Sequence, residues 1–168
     1  MSDLYTLGEI MGLFLATDTD DVATAEKFEL SVAGAEANVA VAVTRLGLST
    51  TLISRLGADQ LGKSILAKLK NEGLSLNGIK TVDSYTPALV RNRGQVNPID
   101  VTYLRKSSAG STICEADIKE EEITAARWVH MTGISVAISE SSAGAVAKAM
   151  AIARKHNVPI SFDINLRR

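Results

Sequence analysis

Apolar and polar positions along this chain switch repeatedly between the two-residue period of a strand and the 3.6-residue period of a helix. Residues 4–11 read as a first strand, with turn signals at Gly8 and Gly12. Residues 28–32 form a short extended piece that runs into Ala33 and Gly34. Residues 35–46 are small and apolar almost all round, and Gly47 supplies the stop expected of a helix. A helix of that composition packs close against a sheet. Residues 50–54, rich in β-branched side chains, predict the next strand. Asp59 then caps a helix with Leu61, Ile65, Leu66 and Leu69 on one face, ending at Gly73.

Residues 79–82 predict another short strand. Residues 88–93 and 100–106 predict a hairpin whose connection holds Gly94 and Asn97-Pro98. Its exposed, polar alternation marks a flap outside the main sheet. The strand and helix rhythm returns with a strand at 127–131, an amphipathic helix at 141–156 and a strand at 160–164. Arg154, Lys155 and His156 suit the C-terminal end of that helix dipole. Alternation of this kind predicts an α/β fold, with right-handed crossovers and a parallel sheet covered on both faces. In such sheets a ligand sits beyond the carboxyl ends of the strands, so the segments just after each strand are the ones to inspect.

Composition narrows the function. The chain has 168 residues, enough for one well-buried core, and 18 basic against 19 acidic side chains. A balance so close to neutral, with no basic cluster between aromatic residues, gives no expectation of nucleic acid as partner. Cys114 is the only cysteine, which excludes an internal disulfide and a CxxC metal site. His130 and His156 have no second ligand at metal spacing, so no metal site is expected in the chain. The first residues lack the basic start and apolar run of a secretory leader, and no apolar stretch reaches membrane-spanning length. The expectation is a reduced, cytoplasmic setting without membrane contact.

One motif competes for the nucleotide role. Residues 57–64, GADQLGKS, match the phosphate-loop pattern GxxxxGKS between a strand and a helix. Two features oppose it. Asp59 puts a carboxylate where backbone N–H groups would cradle phosphate. Leu61 already belongs to the apolar stripe, so the helix starts near Asp59 and Gly62 and Lys63 fall inside it. The segment therefore reads as a capped amphipathic helix, and Lys63 as a surface charge.

A different set of residues carries a resemblance. AGAEANVA at 33–40, RLG at 45–47 and GADQLG at 57–62 resemble the first signature of the PfkB carbohydrate kinases, a small-residue turn followed by a helix, a strand and a GxDxxG helix start. FDINLR at 162–167 is similar to the D-x-N-x-R stretch of that family. With the flap between them, the likeness spans nearly the whole chain. Glu36, where many members have proline, and VTYLRK at 101–106 look most like the 2-keto-3-deoxygluconate kinase branch.

The resemblance implies a ribokinase-like three-layer α/β/α fold with a mostly parallel sheet. It also implies a small β-sheet lid, with strands near 12–17, 28–32, 88–93 and 100–106. It implies a sugar or sugar-acid site at Gly34, Asn38, Tyr103, Arg105, Ile134 and Arg167. Arginine suits a sugar carboxylate, because its guanidinium forms charge-assisted, often bidentate pairs. Asn38 offers a donor and an acceptor to hydroxyls, and Tyr103 a ring to pack on the sugar. Taken singly, each has a structural alternative: Gly34 relieves a turn, Asn38 supports a helix start, and Arg105 is a solvated hairpin charge. Two family contacts fall on aliphatic residues here, an aspartate position near Leu13 and an aromatic one near Leu89. The catalytic base of the family stands in a GAGD motif of its C-terminal half, with the ATP pocket. No GAGD occurs in these residues, so no catalytic residue is expected among them and the chain reads as truncated. ATP and Mg2+ are implied for the full-length enzyme, with no firm binding to this fragment. A homodimer through the lid is implied as well. The alternatives are a fructokinase-like or other sugar kinase, and a non-catalytic remnant that binds sugar or dimerises.

Overall fold

The computed structural model describes residues 2–166. In chain order the strands are β1 (Ser2–Leu7), β2 (Met11–Ala16), β3 (Phe28–Ala33), β4 (Thr50–Gly57), β5 (Ile79–Val82), β6 (Ala88–Arg91), β7 (Val101–Leu104), β8 (Ala126–Thr132) and β9 (Ile160–Asp163). The α-helices are α1 (Ala35–Arg45), α2 (Gln60–Asn71), α3 (Glu120–Thr124), α4 (Gly133–Ile138) and α5 (Glu140–Lys155). The strands divide between two sheets. The order β5-β4-β1-β8-β9 makes a five-stranded sheet in which every pairing is parallel. The order β3-β2-β6-β7 makes a smaller mixed sheet, with β2 parallel to β6 and the other two pairs antiparallel.

The alternation of side chains along β4 explains the layers. Leu52 and Leu56 face one side, where they are buried with Ala37 and Ala40 of α1 and with Ile65 and Leu69 of α2. Ile53 faces the other side, where it joins Tyr5, Leu7, Val129 and Met131 beneath Ala145, Val146, Ala149 and Ile152 of α5. Small residues on α1 let it lie close to the sheet. Ile65 and Leu69 are fully buried, each contributing about 2 kcal/mol of apolar transfer free energy. β9 is one of the two outer strands, and Phe162 within it and Ile164 and Leu166 after it remain exposed.

Two departures from the sequence reading matter for function. The segment read as one strand over 4–11 is split: β1 stops at Leu7, and Met11 already belongs to the smaller sheet. The cause is Gly8, where an added Cβ would lie 2.3 Å from the carboxyl group of Glu36, so only glycine lets the chain pass this carboxylate. Glu36 is buried and accepts hydrogen bonds from Thr132 Oγ1 and Ser135 Oγ, each at 2.6 Å. It thus pins the start of α1 to the end of β8. The second departure is α4, absent from the periodicity because it is only 6 residues long. Thr132 caps it, its hydroxyl accepting from the Ile134 N–H at 3.2 Å.

The GxxxxGKS segment is helical from Gln60 onward. Asp59 is its N-cap and accepts from the Gly62 N–H at 2.7 Å, while its other oxygen accepts from the Thr86 N–H at 2.7 Å. The N–H groups that a phosphate would need are already engaged, Gly57 by Thr86 Oγ1, Ala58 by the Val82 carbonyl, and Gly62 and Lys63 by Asp59, and Lys63 is exposed on the helix surface. A cap of this kind is worth about 1 kcal/mol, and here it also ties α2 to the start of the smaller sheet. Among the described residues no helix is long and apolar enough to cross a membrane.

Candidate functional site

The smaller sheet lies over the carboxyl end of β1, reached through the link Gly8-Glu9-Ile10. Between the two layers is a cleft of about 360 Å³. Its floor is formed by Glu9, Gly34 and Asn38, its roof by Leu13, Leu89, Arg91, Val101 and Tyr103 of the lid, and its sides by Arg105 and Ile134. A second opening of about 650 Å³ adjoins it, sharing Tyr103, Arg105 and Ile134 and extending to Ile164, Asn165 and Leu166 after β9.

Gly34 shapes the floor. It caps α1 with φ 142°, a conformation that side chains resist, and a Cβ there would sit 2.5 Å from the Glu9 carbonyl oxygen. The backbone of Gly34 is therefore pressed against Glu9, and Asn38 follows one turn later on the exposed face of α1. The turn after β9 is fixed by Asp163, which accepts from the Asn165 N–H at 2.8 Å and from its side-chain amide at 3.0 Å.

The electrostatic centre is an ion pair. Arg105 Nη2 lies 2.7 Å from Glu9 Oε2, with the arginine side chain 26% exposed and the glutamate 1%. Neither of these two atoms has an aligned hydrogen-bond partner, so the attraction is chiefly Coulombic. Glu9 Oε1 accepts from Ser108 Oγ at 3.3 Å. Burial pushes the Glu9 carboxyl up to about 7, against the pull of Arg105 and Ser108 and with a further push from Glu36. The Arg105 guanidinium also stands over the Tyr103 ring, 5.4 Å from its centroid. A second buried carboxylate, Asp117, lies apart from the cleft. Its burial raises it, but Arg55, Lys80 and the Cys114 N–H overcome this and hold it at about 2.

Of the residues that the sequence resemblance put forward, Gly34, Asn38, Tyr103, Arg105 and Ile134 line this one cleft. Arg167 lies outside the described residues. Arg105, read from the sequence as a solvated hairpin charge when taken alone, is instead paired with a buried carboxylate because β7 ends directly above the β1–β2 link. Leu13 and Leu89 make the lid wall aliphatic where polar or aromatic contacts were the alternative. Glu9 and Arg91 were missed. Glu9 follows Gly8 at the carboxyl end of the first strand, a place where ligand sites gather, and reading 4–11 as one strand hid it. Among the described residues no group of three His, Cys, Asp or Glu is placed to hold a metal ion.

The model of the pfkB family carbohydrate kinases matches residues 1–168. The chain is 34% identical over 167 residues to a 2-dehydro-3-deoxygluconokinase of Bacillus subtilis, a match that takes in 98% of this chain and 52% of that protein. A crystal structure of 2-dehydro-3-deoxygluconokinase from Thermotoga maritima superposes with a TM-score of 0.93 at 27% identity, over 99% of this chain and 52% of that one. A putative Ribokinase II from E. coli, solved in complex with ATP and Mg2+, superposes with a TM-score of 0.88 at 26% identity, over 99% and 54%. The chain thus spans about half the length of these relatives.

Proposed function

Because the chain belongs to the pfkB family of carbohydrate kinases, we propose that it carries the sugar-recognition side of a cytoplasmic enzyme that phosphorylates a sugar acid such as 2-keto-3-deoxygluconate. The single observation that supports this reading is Arg105. It is a cation stacked against Tyr103 at the junction of two clefts, with Asn38 and the Gly34 backbone opposite. A sugar acid offers a carboxylate for the guanidinium, hydroxyls for Asn38 and a carbon face for Tyr103 and Ile134. Arg167 is proposed as a further contact through the resemblance alone. ATP and Mg2+ belong to this reading through the family. The GxxxxGKS helix does not fit nucleotide, since its leading N–H groups are engaged within the chain by Asp59, Thr86 and Val82, and no step is assigned to it. The lid is the surface proposed for pairing with a second copy of the chain, because β7 is one of its two edge strands and Leu104 is exposed there.

The Glu9–Arg105 pair favours a second reading, a fructokinase-like preference for a neutral sugar, because Glu9 already neutralises the cation. Titration calorimetry of the purified chain separates the two, with 2-keto-3-deoxygluconate, fructose and ATP tested in parallel. The first reading expects heat from the acid at concentrations where fructose and ATP give none. Tighter binding of fructose than of the acid would replace it with the second.

A further inference from the structure

Glu9 has no task in the sugar-acid reading above, yet it is buried in the cleft and touches the residue that recognises the acid. We propose that Glu9 is a specificity-determining residue: it neutralises Arg105 while the site is empty, and it takes up a proton from solvent when a ligand carboxylate joins that pairing. This rests on the sugar-acid reading of the site and adds a proton to it.

The geometry carries the argument. Glu9 cannot swing away from Arg105, because three residues enclose it. Gly34 presses on its backbone, and the side of Gly110 on its Cγ, where an added Cβ would lie at 2.5 Å. Ser108 holds Oε1. An arriving carboxylate therefore shares the guanidinium with Glu9 rather than displacing it. Two carboxylates that share one guanidinium in a buried site repel each other, and such pairs hold a proton between them. The charged groups facing Glu9 are Arg105 from the segment after β7 and Glu36 from α1; Arg91 of the lid lines the same cleft. Glu36 has its Oε1 engaged by Thr132 and Ser135 and adds repulsion rather than relief. With its carboxyl already pushed up to about 7, Glu9 needs little further change to become protonated near neutrality.

The balance is simple: one ligand carboxylate enters, one proton passes from solvent to Glu9, and no other bond forms or breaks. A neutral sugar brings no such charge and draws no proton. The protonation state of Glu9 therefore discriminates acid from neutral ligand, favouring the acid as pH falls.

The test is calorimetric titration of the chain with 2-keto-3-deoxygluconate at pH 8 in two buffers of different ionisation enthalpy. The expected result is uptake of close to one proton per acid bound, and an affinity that tightens about tenfold between pH 8 and pH 6. Glu9→Gln should abolish both effects and bind the acid about as well at pH 8 as the parent chain does at pH 6. Acid binding by the parent chain without proton uptake overturns the role of Glu9 and leaves the sugar-acid reading in place, and this arm needs no variant to fold. Absence of acid binding at every pH, in the parent chain and in a folded Glu9→Gln, overturns the sugar-acid reading and the proposal with it.

Discussion

Arg105→Ala is expected to weaken binding of 2-keto-3-deoxygluconate by about a hundredfold while changing fructose binding by less than about threefold. A charge-assisted hydrogen bond contributes about 1.5–3 kcal/mol, and its upper range is that factor. Tyr103 loses the cation over its ring in the same substitution, so its packing on the ligand weakens too. A neutral sugar uses neither the charge nor the bidentate geometry. Arg105→Lys should recover only part of the loss, because a point charge does not reproduce the planar fork. Calorimetric titration of the three proteins with both ligands reads this directly. Equal loss of acid and fructose binding would mean that Arg105 holds the cleft in shape rather than recognising the acid.

The second large effect is on stability. Glu9 has its carboxyl raised from the ordinary value of 4.5 to about 7 in the folded chain, mainly by burial. The folded state therefore binds this proton more tightly than the unfolded state does. Its contribution is fully present below about 4.5 and is lost as pH rises through about 7, an effect of about 3 kcal/mol in all. Asp117 works in the opposite sense. It is held at about 2 against an ordinary 3.8 by Arg55, Lys80 and the Cys114 N–H, which overcome its burial, so its contribution is present above about 3.8 and lost as pH falls toward 2. The two windows barely overlap, and stability should peak between about pH 4 and 5. Urea midpoints measured from pH 4.5 to 7.5 should decline for the parent chain and stay nearly level for Glu9→Gln. A parent profile that is flat over that range would show that Glu9 is not held in the buried, proton-favouring setting described above.

Most of the layered architecture was legible from periodicity. α2 shows why: Asp59 announces its cap, Leu61, Ile65 and Leu69 repeat on one face, and Gly73, with φ 81°, ends it. Signals that local need no tertiary knowledge. The same logic rejected the phosphate loop, since Leu61 could not serve both a helix stripe and a phosphate cradle. What failed was decided at a distance. Gly8 terminates β1 because Glu36, 28 residues later in sequence, occupies the space above it. No window over residues 4–11 contains that carboxylate.

The candidate site divides in the same way. Gly34, Asn38, Tyr103, Arg105 and Ile134 were named from family motifs and line one cleft. Their polarity hinted at nothing individually, and only the folded chain brings α1, β7 and α4 together. Glu9 carried no motif at all. Its pairing joins residues 96 positions apart, a relation that composition and spacing do not express.

The most direct test of the central claim is side-chain 15N NMR of the chain titrated with 2-keto-3-deoxygluconate, following the Arg105 Nε and Asn38 Nδ2 resonances. Both are expected to shift together and saturably with the acid, with Arg105 unmoved by equal concentrations of fructose. Saturable binding of the acid that leaves both resonances in place would contradict the assignment of this cleft as the sugar-acid site.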